Sequence, residues 1–132
     1  MKHEESKLQI SCVKWFDLQY PQYKLNLFAI PNEGARTPQN GARMKAQGRR
    51  AGVADMFLAI PKREIKRLNL SSGVSADTVV LTHGLFIEFK ADKGKQSEQQ
   101  FNFELNVIHQ CYLYEIIRDF DSFKNLIEDY IS

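Results

Sequence analysis

Apolar residues Leu8, Cys12, Trp15 and Phe16 recur at three- and four-residue spacing between residues 5 and 19, and Pro21 closes the pattern. That spacing predicts an amphipathic first helix over 5–19. The run Tyr-Lys-Leu-Asn-Leu-Phe-Ala-Ile at 23–30 predicts a strand, and Pro31-Asn32-Glu33-Gly34 a turn. Residues 53–60 predict a second strand, ended by Pro61. A polar, basic excursion over 62–77, carrying Ser71-Ser72-Gly73, is expected to be an inserted arm. Apolar runs at 78–81 and 85–90 flank Thr82-His83-Gly84, which predicts a hairpin supplying the third and fourth strands.

Beyond the turn Asp92-Lys93-Gly94-Lys95, Ser97 and Gln100 have the Ser-x-x-Gln spacing that caps a helix start, and this helix should reach about His109. Residues 112–117 predict a last strand. Asp121 is the expected cap of a closing helix that buries Phe123, Leu126, Ile127 and Tyr130. Between the first two strands, residues 36–52 hold Arg36, Arg43, Lys45, Arg49 and Arg50, with Met44 the only large apolar side chain. Such a stretch cannot build core. It predicts a solvated basic surface with a short helix near 42–47. The order is helix, strands, helix, strand, helix, an α/β arrangement without internal repeats.

A chain of 132 residues, 43% hydrophobic, is long enough for one buried core and short for two ordinary domains. Its net charge of +2 averages acidic ends against a basic middle at 36–67. No apolar stretch approaches the roughly 20 residues of a membrane span, and Met1-Lys2-His3-Glu4-Glu5 lacks the apolar core of a signal peptide, so a cytoplasmic protein is expected. Cys12 and Cys111 match no spaced metal-ligand pattern and are expected to be reduced core thiols. His3, His83 and His109 fit neither a nucleophilic nor a metal arrangement.

The chemistry concentrates on Asp55, which closes Gly52-Val53-Ala54-Asp55, and on Glu88-Phe89-Lys90. Side chains two apart on a strand share a face, so Glu88 and Lys90 point one way and Phe89 the other. Magnesium takes oxygen ligands and keeps several waters, so Asp55, Glu88 and the Phe89 backbone carbonyl would suffice to hold Mg2+ or Mn2+. Flanked by two carboxylates, Lys90 is assigned positioning and electrostatic stabilisation of a phosphate. Taken alone, an Asp followed at a distance by Glu-x-Lys also describes an ordinary cross-strand ion pair. Placement at strand ends, with a Gln-bearing helix directly after, favours the metal site. Glu5 on the first helix either reaches the metal or serves the helix dipole. Gln9 lies one turn further on the same face. Gln96, Gln99 and Gln100 compete for the position facing the site.

Glu5-Ser6-Lys7-Leu8-Gln9, Asn32 with Arg36, Gly52-Val53-x-Asp55, Glu88-x-Lys90 and Ser97-x-x-Gln100 together resemble the VRR-NUC family of PD-(D/E)xK nucleases, in order and over nearly the whole chain. The resemblance implies a restriction-endonuclease-like core, with a central mixed sheet flanked by helices in α-β-β-β-α-β order plus the arm. It implies divalent-metal-dependent cleavage of DNA, often branched, flapped or junction DNA, and a homodimer like stand-alone members of phage type, in a bacterial cytoplasm or phage-infected cell. By motif position Asp55 and Glu88 would be metal ligands, Lys90 the catalytic lysine, Glu5 the first-helix acid and Gln100 the flanking glutamine, with Gln9 and Asn32 in support. Arg36, Arg43, Lys45, Arg49 and Arg50 would meet DNA phosphates. The chain departs from the family at Ala54, where Pro is frequent, and at Gln110-Cys111-Tyr112, where the turn often uses Gly. A non-catalytic DNA-binding module and a subunit of a restriction system are the alternatives.

Overall fold

A computed structural model describes residues 2–31 and 37–132. Helix α1, Lys2–Gln19, puts Cys12 and Phe16 fully out of solvent. The chain then winds into a single 3₁₀ segment, Pro21–Asn26, where a strand was expected. Pro21 supplies a preset φ at its start. The Tyr23 N–H reaches the Tyr20 carbonyl at 2.9 Å, and the two rings stack at 6.4 Å. Only Leu27–Ala29 remains extended, as β1.

Helix α2, Pro38–Ala46, starts earlier than the expected 42–47, because the Thr37 side chain accepts the Asn40 N–H at 3.1 Å and Pro38 fits the first turn. Strand β2 is shortened to Met56–Leu58. Strands β3, Lys62–Leu70, and β4, Gly73–Thr82, form a separate two-stranded ribbon. Strand β5, Leu85–Phe89, helix α3, Glu98–His109, strand β6, Leu113–Ile117, and helix α4, Phe120–Ile131, complete the chain.

The main sheet has the order β1-β2-β5-β6, antiparallel except for the parallel β5–β6 pair. It is a central mixed sheet with helices on both faces. Leu85, Ile87 and Phe89 alternate onto one face with their partners Leu58, Met56 and Ile117, and meet Phe16 of α1 and Phe123 and Ile127 of α4 in the buried core. Trp15 bridges α1 to α4 through edge contacts with Phe120 and Phe123. On the other face Phe86 meets Phe57 at 4.5 Å and Phe103 of α3 at 5.1 Å. Glu88 emerges on that same face, beneath α3.

The expected hairpin between 78–81 and 85–90 does not form. A strand has two hydrogen-bonding edges, and those of β5 are taken by β2 and β6. Residues 78–81 pair with β3 instead, and the predicted arm is a regular ribbon reaching Thr82. Ser71-Ser72 makes its two-residue turn, followed by Gly73 at φ 132°, a backbone region that favours glycine. At its root the Tyr130 hydroxyl donates to the Ile60 carbonyl at 2.7 Å and lies 2.7 Å from Thr82 Oγ1, while Lys62 donates to the Asp129 carbonyl at 2.8 Å.

Two local expectations are corrected. The cap of α4 is Asp119, which accepts the Ser122 N–H at 2.8 Å, and Asp121 lies within the first helical turn. Cys12 is a core thiol, its pKa pushed up to about 12 by burial and then by Asp119, but Cys111 is exposed. It occupies the left-handed turn after α3 at φ 67°, the conformation for which glycine is the usual residue.

Candidate active site

Asp55 follows a close-packed turn and precedes β2. Gly52, at φ 85°, lies so near α3 that a Cβ there would stand 2.5 Å from the Gln99 carbonyl carbon and oxygen. Ala54 is fully buried, so its small side chain is enclosed by packing. Asp55 is then held at both ends: its carbonyl accepts the Ile30 N–H at 2.8 Å, and its Oδ2 accepts the Phe89 N–H at 2.7 Å. The acid is thereby laid against the end of β5, beside Glu88.

Glu88 is 2% exposed. Its Oε2 accepts from Gln100 Nε2 at 2.7 Å and lies 3.4 Å from Lys90 Nζ. Its Oε1 is buried with no hydrogen-bond partner among the described residues. Burial first, and then the field of Asp55, push the Glu88 pKa up from 4.5 to about 7, against the opposing pull of Lys90; Glu5 adds a smaller upward push.

Gln100 resolves the competition among the glutamines. Its Oε1 accepts the Ser97 N–H at 2.8 Å while Ser97 Oγ accepts the Gln100 N–H at 3.1 Å, the reciprocal capping box. An N–H requires an acceptor, so the cap consumes the amide oxygen and turns the amide NH2 toward Glu88. Gln96 is engaged elsewhere, donating to Glu104 Oε1 at 2.8 Å and to the Tyr114 hydroxyl at 3.4 Å. Burial raises the Tyr114 pKa, despite the opposing Gln96 bond, and the charges of Glu88, Glu104 and Asp55 add to that rise. The Gln99 backbone is the surface against which Gly52 packs.

Glu5 approaches from α1, its Oε2 accepting the Ala91 N–H at 3.1 Å. Together Glu5, Gln9, Asp55, Glu88, Lys90 and Gln100 line one cleft of about 580 Å³, with Ser6, Ala29, Ile30, Pro31 and Val53 completing the wall. Every side chain assigned to metal or catalysis by motif position thus reaches one place, and so does Gln9. Asn32 and Arg36 lie outside the described residues. Arg43 and Lys45 are exposed on α2, and Arg49 and Arg50 follow it; none of the four is among the residues lining the cleft. Arg43 donates to Asn40 Oδ1 at 2.7 Å, and Arg50 to the carbonyls of Lys45 and Arg49.

One positioning residue had no sequence signal. Arg118 donates to the carbonyls of Ala91, Asp92 and Gly94 at 3.0, 3.3 and 2.7 Å, which folds the loop after Lys90 back toward Glu5. A lone arginine at a strand end carries no pattern, and its partners are backbone atoms.

The donor set suits a hard cation. It offers carboxylate oxygens and no thiolate or imidazole, and an orphaned buried oxygen on Glu88 faces the field of two more acids. Among the described residues no three His, Cys, Asp or Glu side chains are grouped so that they could hold a metal ion by themselves.

Neither the family models nor the curated protein sequences give a match to this chain. Among solved structures, a protein described as a VRR_NUC domain protein superposes on 96% of this chain and 87% of its own, with a TM-score of 0.72 and 18% identity. The chain therefore has the fold that its motifs imply.

Proposed function

We propose that this protein is a Mg2+- or Mn2+-dependent deoxyribonuclease that cuts DNA internally, selects branched, flapped or junction structures, and works as a homodimer. The observation that carries the nuclease reading is Glu88: a buried acid with one oxygen unpartnered among the described residues, placed with Asp55 and Lys90 in a polar cleft. The motif resemblance and the shared fold support it, and the structure selectivity and the dimer follow from the resemblance.

Asp55 and Glu88 would hold the cation, with the Phe89 carbonyl as a further oxygen. When bound, the cation would polarise the scissile phosphate and acidify its own waters. Gln100 keeps the Glu88 carboxylate in one orientation, and helix α3 supports Gln100 through its cap. Lys90 places a positive charge where charge grows on the phosphate in the transition state. Glu5 closes the α1 side. The basic residues on and after α2 would contact phosphates outside the cleft.

Purified protein is incubated with linear, flapped and four-way duplexes in Mg2+, Mn2+ or EDTA, and products are resolved on a denaturing gel. Metal-dependent products are expected from the parent protein. Asp55→Ala should remove them, and Lys90→Ala should slow cutting roughly 10²–10³-fold while both variants still bind DNA. Binding without cutting by the parent protein would identify a non-catalytic DNA-binding module. Site-dependent fragments from plasmid DNA would identify a restriction subunit. Mass in solution tests the dimer.

A further inference from the structure

The β3–β4 ribbon takes no part in the cleft, yet it exposes Ile65 at 74% and Val74 at 66%. Directly opposed residues on paired strands share a face, so the register sorts the ribbon into two. One face carries the pairs Arg63 with Val80, Ile65 with Thr78, Arg67 with Ala76, and Asn69 with Val74; the other carries Glu64 with Val79, Lys66 with Asp77, Leu68 with Ser75, and Leu70 with Gly73. The first face holds two arginines, one asparagine and no acid, and all of its residues are exposed. On the second, Lys66 stands opposite Asp77 with Glu64 nearby, and Val79 and Ser75 are half-buried.

We infer that the Arg63–Arg67 face of the ribbon binds duplex DNA along a groove, away from the bond that is cut. This rests on the reading of the protein as a DNA-cutting enzyme. A two-stranded ribbon fits the major groove, and strands of nine and ten residues reach about 30 Å. Arg63 and Arg67 meet the flanking phosphates, and Ile65 between them and Val74 beyond Arg67 offer apolar contact to sugars and thymine methyls. The ribbon contains no aromatic residue on which to stack unpaired bases, which selects duplex over single strand. Self-pairing of this face in a two-fold dimer would bring four arginines into one interface with no acid from either copy, whereas a polyanion neutralises them.

Topology fixes where the contact falls. Asp55 precedes β2 and Lys90 follows β5, whereas the ribbon joins the end of β2 to the start of β5, and the two strands are antiparallel. The ribbon therefore leaves the end of the sheet opposite the acids. Its contact lengthens the DNA site without entering the chemistry.

The test measures binding of the full chain, in EDTA, to labelled linear duplexes of about thirty and about ten base pairs across a salt series. Arg63→Ala/Arg67→Ala should weaken binding to the long duplex about ten-fold and lower its salt slope by about 2, with the short duplex little changed. Arg63→Lys/Arg67→Lys should keep the parent slope, and Lys66→Ala on the opposite face should stay within about two-fold of the parent. An unchanged thermal midpoint shows that the fold is intact. Long-duplex binding equal to the parent's, or an equal loss from Lys66→Ala, overturns the inference while metal-dependent cutting by the parent leaves the nuclease reading standing. A parent protein that neither binds nor cuts DNA overturns both.

Discussion

Glu88 is held under opposing demands. Burial and the neighbouring acids favour its neutral form, while Lys90 favours the charged one, and the sum lifts its pKa to about 7. Between its ordinary 4.5 and that value Glu88 binds more protons in the folded than in the unfolded state, so its contribution to the stability of the metal-free protein falls as pH rises through this window. The whole shift corresponds to on the order of 3 kcal/mol. Thermal midpoints in EDTA should decline from about pH 4.5 to about pH 7.5, and Glu88→Gln, which cannot ionise, should flatten that decline. A divalent cation held by Glu88, as proposed, would compete with the proton for the carboxylate, so Mg2+ or Mn2+ should raise the midpoint more at the alkaline end. Identical pH profiles for the parent and Glu88→Gln would refute this account. At this scale the sequence spoke clearly wherever spacing was local. Alternation put Glu88 and Lys90 on one side of β5, and Ser97-x-x-Gln100 announced the cap. That the capping amide also donates to Glu88 depends on how α3 lies on the sheet, which no spacing encodes.

Among the elements, the α3 start and the Asp55 turn form one unit because Gly52 lets their backbones touch. A methyl group at Gly52 meets backbone atoms that cannot swing away, on top of the strain of a positive φ. Gly52→Ala should therefore destabilise the protein by about 2–4 kcal/mol. Gly48 is the control: its φ is 107°, but a Cβ there meets nothing within 4 Å, so Gly48→Ala should lose only about 1 kcal/mol of backbone strain. Equal urea midpoints for the two variants would remove the close approach as the reason for Gly52. The helices were largely legible in the sequence because their signals lie within a few residues: periodicity in α1, the capping box in α3, the apolar spacing in α4. The strands were less so. Pro21 and the Tyr20–Tyr23 stack convert half of an extended-looking run into a 3₁₀ turn, and three-residue β1 and β2 are extended because they pair, not because their residues insist on it.

In the whole molecule, the ribbon and the body divide their tasks. The core is built from α1, α4 and one face of the main sheet, and none of the buried core residues comes from β3 or β4. The Tyr130 hydroxyl, touching Ile60 and Thr82, fastens the root. Replacing residues 63–81 with an Asn-Gly turn between Lys62 and Thr82, which are already paired, should leave the body folded with its stability changed by no more than about 1 kcal/mol. Metal-dependent cutting of short duplexes should persist. A collapse of the cooperative thermal transition would show instead that the ribbon is part of the folding unit. Among the described residues, no helix is long and apolar enough to cross a membrane.

The sequence by itself determined what depends on neighbours along the chain: the capped and periodic helices, the side on which Glu88 and Lys90 emerge, the ordered set of motifs, and the polar character of the arm. Tertiary structure decided what depends on partners far along the chain. Residues 78–81 joined the ribbon because β5 had both edges filled. Glu5, Asp55, Glu88, Lys90 and Gln100 became one cleft because a parallel crossover through α3 sets that helix over the end of the sheet while α1 closes the other side. Pairing and helix placement are settled by competition for hydrogen-bonding edges and buried area across the whole fold. That competition has no one-dimensional period to read.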